Sequence, residues 1–184
     1  MERIRAAEPD DARAIAAVHV ASWRATYRGL LPDDFLAGLA LAPREAQWAR
    51  TLAAPPAERG VWVAADDTGA ALGFASGGPE RSGAAAYPGE LYALYLLPAA
   101  QGRGLGRRLF GVVAADLARR GFPALLLWVL DGNPACRFYA HLGGAPLRSQ
   151  PFTIGGVTRT ETAYGWSDLA PLLIHTNDPA VPTP

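Results

Sequence analysis

The sequence predicts a mixed α/β fold in which a mostly antiparallel sheet carries helices on both faces. Three observations predict it. Residues 91–121 have the pattern of a buried strand, a glycine-rich turn and an amphipathic helix. A continuous apolar strand follows at 124–130, so strand and helix alternate around 91–142 and favour a parallel strand pair there. Two further strands, near 145–153 and 157–166, flank the turn at Gly155-Gly156.

The front of the chain supplies the remaining elements. Proline and acidic residues favour the first turn of a helix, and such clusters precede three apolar stretches. We therefore expect a first strand at 4–7, helices beginning near 8–11, 32–34 and 42–45, and a hairpin over 61–76. Residues 77–89 are rich in glycine, proline and alanine, which predicts a loop.

Composition limits the classes of protein to consider. The 184 residues suit one domain, which we expect over 1–167, followed by a partly disordered tail at 168–184. Acids and bases balance at 17 each, which argues against a nucleic-acid binder. The single cysteine, Cys136, excludes an internal disulfide. Charged residues near the N-terminus argue against a signal peptide, and no apolar run reaches the 18 residues that a membrane span needs. We therefore expect a cytoplasmic protein without membrane contact.

The glycine-rich turn at 101–106 has the chemistry of an anion site. It precedes a helix N-terminus, where backbone N–H groups lack internal partners and glycine lets a phosphate approach them closely. A P-loop is excluded because the chain contains no lysine. A dinucleotide site needs G-x-G-x-x-G/A, whereas Arg107 stands where the third small residue belongs. An oxidoreductase with Asp131 as the ribose-binding acid stays as an alternative.

The residues Gln101, Gly104 and Gly106 follow a strand ending in Leu-Leu-Pro. This Q-x-x-G-x-G pattern resembles the acyl-CoA loop of the GNAT superfamily of acetyl-CoA-dependent N-acetyltransferases. The segments 137–144 (RFYAHLGG) and 22–32 (SWRATYRGLLP) resemble other parts of the same family, in the expected order. The resemblance implies a GNAT-like sheet whose parallel strands, 91–97 and 124–130, splay apart to admit the pantetheine arm of acetyl-CoA.

The resemblance also implies which residues bind this cosubstrate. The backbone of the central strand would pair with pantetheine, with an N–H near Leu96 directed at the thioester oxygen, and the turn would hold the pyrophosphate. Asn133 would hydrogen-bond the cofactor arm, although Asn is also a favoured helix N-cap and both roles can hold together. The expected cofactor-binding residues are Leu94, Tyr95, Leu96, Gln101, Gly102, Arg103, Gly104, Leu105, Gly106 and Asn133.

Two residues are candidates for proton transfer. Glu90, at the start of the central strand, matches a glutamate that serves as base in a branch of the family. The alternative interpretation is that Glu90 is only a surface charge. Tyr139 matches the family tyrosine whose hydroxyl donates a proton to the CoA sulfur. The alternative interpretation is that Tyr139 is only an aromatic residue of the core. The sequence contains no Cys/His cluster, so we expect no metal.

The acceptor is the least defined part of the prediction. Trp23, Tyr27 and Arg28 are expected to wall its side of the cleft, although core packing is the alternative for Trp23. The predicted activity is transfer of an acetyl group to a primary amine of a small molecule or a protein N-terminus. A non-catalytic acyl-CoA-binding module on the same fold is the principal alternative. A homodimer formed through the last strands is possible by analogy with relatives.

Overall fold

The computed structural model describes residues 2–54 and 59–173 and contains a seven-stranded sheet of order β1-β2-β3-β4-β5-β7-β6. The strands are β1 (Arg3–Ala6), β2 (Gly60–Ala65), β3 (Ala71–Pro79), β4 (Gly89–Leu96), β5 (Leu125–Leu130), β6 (Ala145–Ile154) and β7 (Val157–Trp166). The helices are α1 (Ala12–Thr26), α2 (Asp33–Ala37), α3 (Leu41–Ala53), α4 (Leu105–Arg119), α5 (Ala135–His141) and α6 (Ala170–Leu173).

The sheet is antiparallel except where β4 meets β5. These two strands pair in parallel at Gly89–Leu125 and Glu90–Leu126, and at no later position among the described residues. From there to their carboxyl ends the strands run apart. The mixed, mostly antiparallel sheet with a splayed parallel pair is therefore confirmed.

A bulge in β4 lies at the point of divergence. Ser76 of β3 faces Ala93, but the next residue, Gly77, faces Leu91, so Tyr92 is the extra residue on β4. A bulge bends its strand and increases its local twist. Because the bulge follows the last residue paired with β5, the bend accounts for the separation of the two strands.

The predicted loop over 77–89 was wrong at both of its ends. Strand β3 continues to Pro79 and β4 begins at Gly89, which leaves a connection of 80–88. A Cβ atom on Gly77 would lie 2.6 Å from a methyl carbon of Val113 and 2.9 Å from the carbonyl oxygen of Glu90. The glycine therefore permits close packing inside the sheet, and does not mark a turn.

The sheet is covered on both faces. Helices α1 and α3 pack on one face around Ile15, Trp48 and Phe74, and α4 packs on the other face through an almost fully buried apolar stripe. The predicted tail at 168–184 begins with α6, whose Leu172 is buried in the α4 cluster. Residues 174–184 lie outside the described residues. In the described ranges, no helix is long and apolar enough to cross a membrane.

Candidate active site

A cleft of about 710 Å³ opens where β4 and β5 separate. Its walls come from the end of α1, the second half of β4, the turn before α4, the end of β5 and the start of α5. The lining residues are Ala25, Thr26, Tyr27, Leu94, Tyr95, Leu96, Pro98, Gln101, Gly102, Gly104, Gly106, Arg107, Val129, Asn133, Pro134, Ala135, Phe138 and Tyr139. The structure thus brings together most of the residues that the sequence predicted for the cofactor.

The edge of β4 presents backbone groups to this cleft. The N–H of Leu97 donates to the carbonyl oxygen of Leu72 across the β3 side, at 2.9 Å. Because peptide groups alternate in direction along a strand, those of Leu94 and Leu96 point to the β5 side. The carbonyl oxygen of Leu96 accepts bonds from the Ser22 hydroxyl (3.1 Å) and the Gln101 side-chain amide (3.3 Å). An extended molecule in the cleft would therefore meet strand-like donors and acceptors.

The N-terminus of α4 forms the floor of the cleft at its other end. Gly104 is the N-cap residue and adopts a left-handed conformation with φ of 81°, which glycine tolerates best. Apart from its chain neighbours, no atom lies within 4 Å of the position where its Cβ would stand, so the space beside this N-cap residue is open. Leu105 is fully buried and anchors this turn to the core. These features fit an anion such as a phosphate.

One arginine near this turn lines the cleft, and two others bind Glu2 near the N-terminus of the chain. Arg107 lines the cleft. The guanidinium of Arg103 instead pairs with Glu2, and that of Arg108 donates to the carbonyl oxygen of Glu2 at 3.3 Å. Arg103 and Leu105, both expected at the cofactor, are therefore not among the side chains that line the cleft.

Asn133 is held at the carboxyl end of β5. Its side-chain oxygen accepts a hydrogen bond from the backbone N–H of Ala135 at 2.9 Å, at the start of α5. Only 6% of the residue is exposed, and it lines the cleft. The cap therefore uses the amide oxygen and leaves the amide nitrogen as a donor for a ligand. Both interpretations made from the sequence are compatible with this position.

Tyr139 lies on α5 with its ring packed among Phe110, Phe138 and Trp166, and it lines the cleft. Burial raises the pKa of its hydroxyl well above the ordinary value for tyrosine. The hydroxyl is therefore protonated at neutral pH and can act as a proton donor.

Glu90 is buried, so the alternative interpretation of this residue as a surface charge was wrong. It is the last residue of β4 paired with β5, and only 4% of it is exposed. Its carboxylate accepts bonds from the backbone N–H of Arg81 (3.0 Å) and from the guanidinium of the same residue (2.5 and 3.1 Å). It does not line the cleft. In this position Glu90 joins the 80–88 connection to the β4 bulge, where Arg81 also covers the ring of Tyr92.

The side of the cleft that was expected from the sequence to bind the acceptor is aromatic. The hydroxyls of Tyr27 and Tyr95 lie 3.3 Å apart, and both residues line the cleft. The ring of Tyr95 stacks on buried His19. Of the three residues expected on this side, only Tyr27 lines the cleft, because Trp23 packs behind it and Arg28 is exposed to solvent.

Sequence reasoning did not select Thr26 or Val129, although both line the cleft. Val129 could have been found, because it alternates with Leu127 and Leu125 on one face of β5. Thr26 could not, because its position depends on how α1 ends beside two strands that are distant in sequence.

A seven-stranded sheet with one splayed parallel pair, and a cleft between that pair and a glycine-capped helix, are the features that the resemblance to the GNAT superfamily implied. A model of the acetyltransferase (GNAT) family matches residues 21–144. The chain therefore belongs to the GNAT acetyltransferase family, as the sequence motifs indicated.

Relatives agree with this assignment. The chain is 40% identical over 173 residues to a Bacillus subtilis protein named uncharacterized N-acetyltransferase YuaI, covering 94% of this chain and 96% of the relative. It is 29% identical to probable N-acetyltransferase Rv2775 of Mycobacterium tuberculosis, over 88% of this chain and 91% of the relative.

Solved structures share the fold. They include yncA of Salmonella typhimurium, solved with its cofactor acetyl-CoA (TM-score 0.69, 23% identity, covering 92% of this chain and 94% of that one). The PaiA N-acetyltransferase of Thermoplasma acidophilum, solved with coenzyme A, has a TM-score of 0.66 and 17% identity, covering 90% and 99%. At these identities the likeness concerns the fold alone.

The family assignment does not favour the oxidoreductase alternative. Asp131, its expected ribose-binding acid, lies outside the cleft lining and accepts a hydrogen bond from the hydroxyl of Thr162 at 2.7 Å.

Behind Tyr95, the buried His19 predicts a pH-dependent stability. Its Nδ1 accepts a hydrogen bond from the indole N–H of Trp48 at 3.1 Å, and burial, aided by the charge of Arg44, lowers its pKa to about 3. The ordinary pKa of histidine is about 6.5. Between those values the unfolded chain binds a proton that the folded chain does not. Folding stability from neutral His19 is therefore complete above pH 6.5 and is lost as the pH falls towards 3.

We predict that the free energy of unfolding falls between pH 6.5 and 4.5 with a slope of up to about 1.4 kcal/mol per pH unit. His19→Leu should flatten that slope, whereas His141→Leu, at an exposed position, should leave it unchanged. Urea denaturation at a series of pH values measures both. An unaltered slope in His19→Leu would show that the buried imidazole does not set the pH dependence.

Proposed function

We propose that the protein is an acetyl-CoA-dependent N-acetyltransferase that moves the acetyl group directly to a primary amine. The observation that carries the proposal is the open edge of β4, where the peptide groups of Leu94 and Leu96 face the cleft instead of a neighbouring strand. Two amides along a pantetheine arm match such an edge, because an extended chain of amides binds like an added strand.

The rest of the cosubstrate would be held at the turn. We assign the pyrophosphate to the backbone N–H groups of residues 101–106 at the N-terminus of α4, with Arg107 adding positive charge. Asn133 would donate its side-chain N–H to the pantetheine arm. Acetyl-CoA supplies the activated acyl group as a thioester.

The chemistry requires two proton transfers. The acceptor ammonium must first lose a proton, and the neutral nitrogen then attacks the thioester carbonyl carbon, so that a C–N bond forms and the C–S bond breaks. An N–H near Leu96 would stabilise the negative charge on the carbonyl oxygen. The hydroxyl of Tyr139, protonated at neutral pH, would give its proton to the departing sulfur.

The base for the first step stays a prediction. Glu90 is the residue that the sequence suggested, and it would have to act through water, because its carboxylate is bound by Arg81 behind the cleft wall. The proposed cytoplasmic location and the identity of the acceptor rest on the family resemblance and on the sequence alone.

The cofactor assignment is tested by a pair of matched glycine substitutions at opposite ends of α4. Gly104 and Gly121 both have a left-handed φ, 81° and 84°, and both have free space where a Cβ would stand. Each change to alanine should cost about 1–2 kcal/mol of stability through the backbone alone. Only Gly104→Ala adds a methyl group to the cleft lining, at the turn proposed to bind phosphate.

We therefore expect calorimetric titration with acetyl-CoA to show saturable binding to the unaltered protein and to Gly121→Ala, and binding weakened about tenfold in Gly104→Ala, because one or two phosphate hydrogen bonds are lost. Failure of the unaltered protein to bind acetyl-CoA, or preferential binding of NADH in a parallel titration, would overturn the proposed function.

The catalytic assignment is tested by removing one hydroxyl. Tyr139→Phe should lower kcat by about 10²-fold or more, the range of general acid catalysis, and leave acetyl-CoA affinity unchanged. Tyr164→Phe serves as the control, because Tyr164 does not line the cleft. Free-thiol release during turnover with a panel of primary amines measures the rates. Turnover by Tyr139→Phe equal to that of the control would remove Tyr139 from the mechanism.

A further inference from the structure

The hydroxyl of Ser22 makes a long-range hydrogen bond that ties α1 to the open edge of β4. Ser22 lies near the end of α1, and only 1% of it is exposed. A serine inside a helix commonly donates to the carbonyl oxygen four residues earlier. Here the hydroxyl donates to the carbonyl oxygen of Leu96 at 3.1 Å, across 74 positions of the chain. The bond therefore serves the strand that it reaches.

The carbonyl of Leu96 lies on the edge of β4 that has lost its neighbouring strand. Parallel pairing with β5 ends at Glu90–Leu126, whereas the N–H of Leu97 still pairs on the β3 side. Because the N–H and C=O of one residue point to the same side of a strand, both groups of Leu96 face the cleft. In a continuous sheet this carbonyl would accept a hydrogen bond from β5. Side-chain donors take the place of that strand.

Two donors from different parts of the chain converge on the Leu96 carbonyl. The side-chain amide of Gln101 donates at 3.3 Å, and this residue belongs to the turn that we assign to the pyrophosphate. Ser22 comes from α1, which reaches the cleft one turn later through Ala25 and Thr26. The buried hydroxyl of Ser22 is therefore the donor that can stay on the carbonyl while the turn binds phosphate.

Acetyl transfer makes the state of this carbonyl important. When the amine nitrogen attacks the carbonyl carbon of the thioester, electrons move onto the thioester oxygen, and they return as the C–S bond breaks. The N–H of Leu96 would stabilise that oxygen. The carbonyl oxygen of the same residue carries a partial negative charge on the same edge and would repel it. Donation by Ser22 offsets this partial charge, and Ser22 keeps its proton throughout.

We propose that Ser22 is a positioning residue for acetyl transfer, which caps the Leu96 carbonyl and so leaves the N–H of Leu96 as the free polar group of that residue at the thioester. This inference rests on the proposed function, since it concerns the same thioester. A residue that acts in this way affects the charge that develops during the reaction more than the binding of the uncharged thioester. Its removal should therefore change kcat and spare the affinity for acetyl-CoA.

The test compares Ser22→Ala with Ser76→Ala. Each change removes one hydroxyl from a serine that is 1% exposed. Ser76 lies on β3 opposite Ala93, and its hydroxyl has no hydrogen-bond partner among the described residues. The pair therefore separates the loss of the bond to Leu96 from the loss of a buried hydroxyl as such. Free-thiol release with the panel of primary amines measures kcat, and calorimetry measures the Kd of acetyl-CoA.

We expect Ser22→Ala to lower kcat about tenfold, less than the loss of a direct oxyanion donor, because Ser22 acts through the Leu96 carbonyl. The Kd of acetyl-CoA should stay within about twofold of the original value. Ser76→Ala should change neither quantity. The carbon-13 resonance of the Leu96 carbonyl provides a second measurement, since a carbonyl carbon that loses a hydrogen bond resonates at lower frequency. It should move in Ser22→Ala and stay in place in Ser76→Ala.

The inference would be overturned if Ser22→Ala turned over as fast as Ser76→Ala, if its affinity for acetyl-CoA fell in parallel with kcat, or if the Leu96 resonance did not move. Absence of turnover by the unaltered protein with every amine of the panel would instead contradict the proposed function. The Leu96 resonance, recorded with saturating acetyl-CoA, still tests the role of Ser22 in that case, so the two failures are distinguishable.

Discussion

The separation of β4 from β5 is the constraint on which the rest of the structure depends. Two residue pairs hold the strands together, and the bulge at Tyr92 then bends β4 away from its neighbour. Backbone N–H and C=O groups that would complete a continuous sheet are left facing a cleft, where they need partners. Fully buried residues of α4, such as Leu109 and Val113, pack under the sheet and hold the bent strand in place.

The two ends of the cleft differ in chemical character. The N-terminus of α4 with Arg107 provides a positive end suited to phosphate, whereas the hydroxyls of Tyr27 and Tyr95 meet at the other end. Glu90, the last residue of β4 that pairs with β5, has its charge neutralised by Arg81. This neutralisation lets a carboxylate be buried at the point of divergence without leaving a net charge in the core.

The sequence was most informative where chemistry is local. The alternation of apolar strand, glycine turn and amphipathic helix over 91–121 predicted one wall of the cleft, because each step depends on neighbouring residues. It was less informative where position depends on packing between distant segments. Gly77 was read as a loop residue because its need for close contact with Val113 arises only in the folded sheet.

The most direct test of the central account is amide hydrogen exchange with and without acetyl-CoA. The open edge of β4 should exchange quickly in the free protein. Acetyl-CoA should slow exchange at Leu94 and Leu96 and across residues 102–106, while residues 73–76 of β3, already paired on both sides, should not change. Unchanged exchange at Leu94 and Leu96 under saturating acetyl-CoA would contradict the claim that the splayed strand edge is the binding surface.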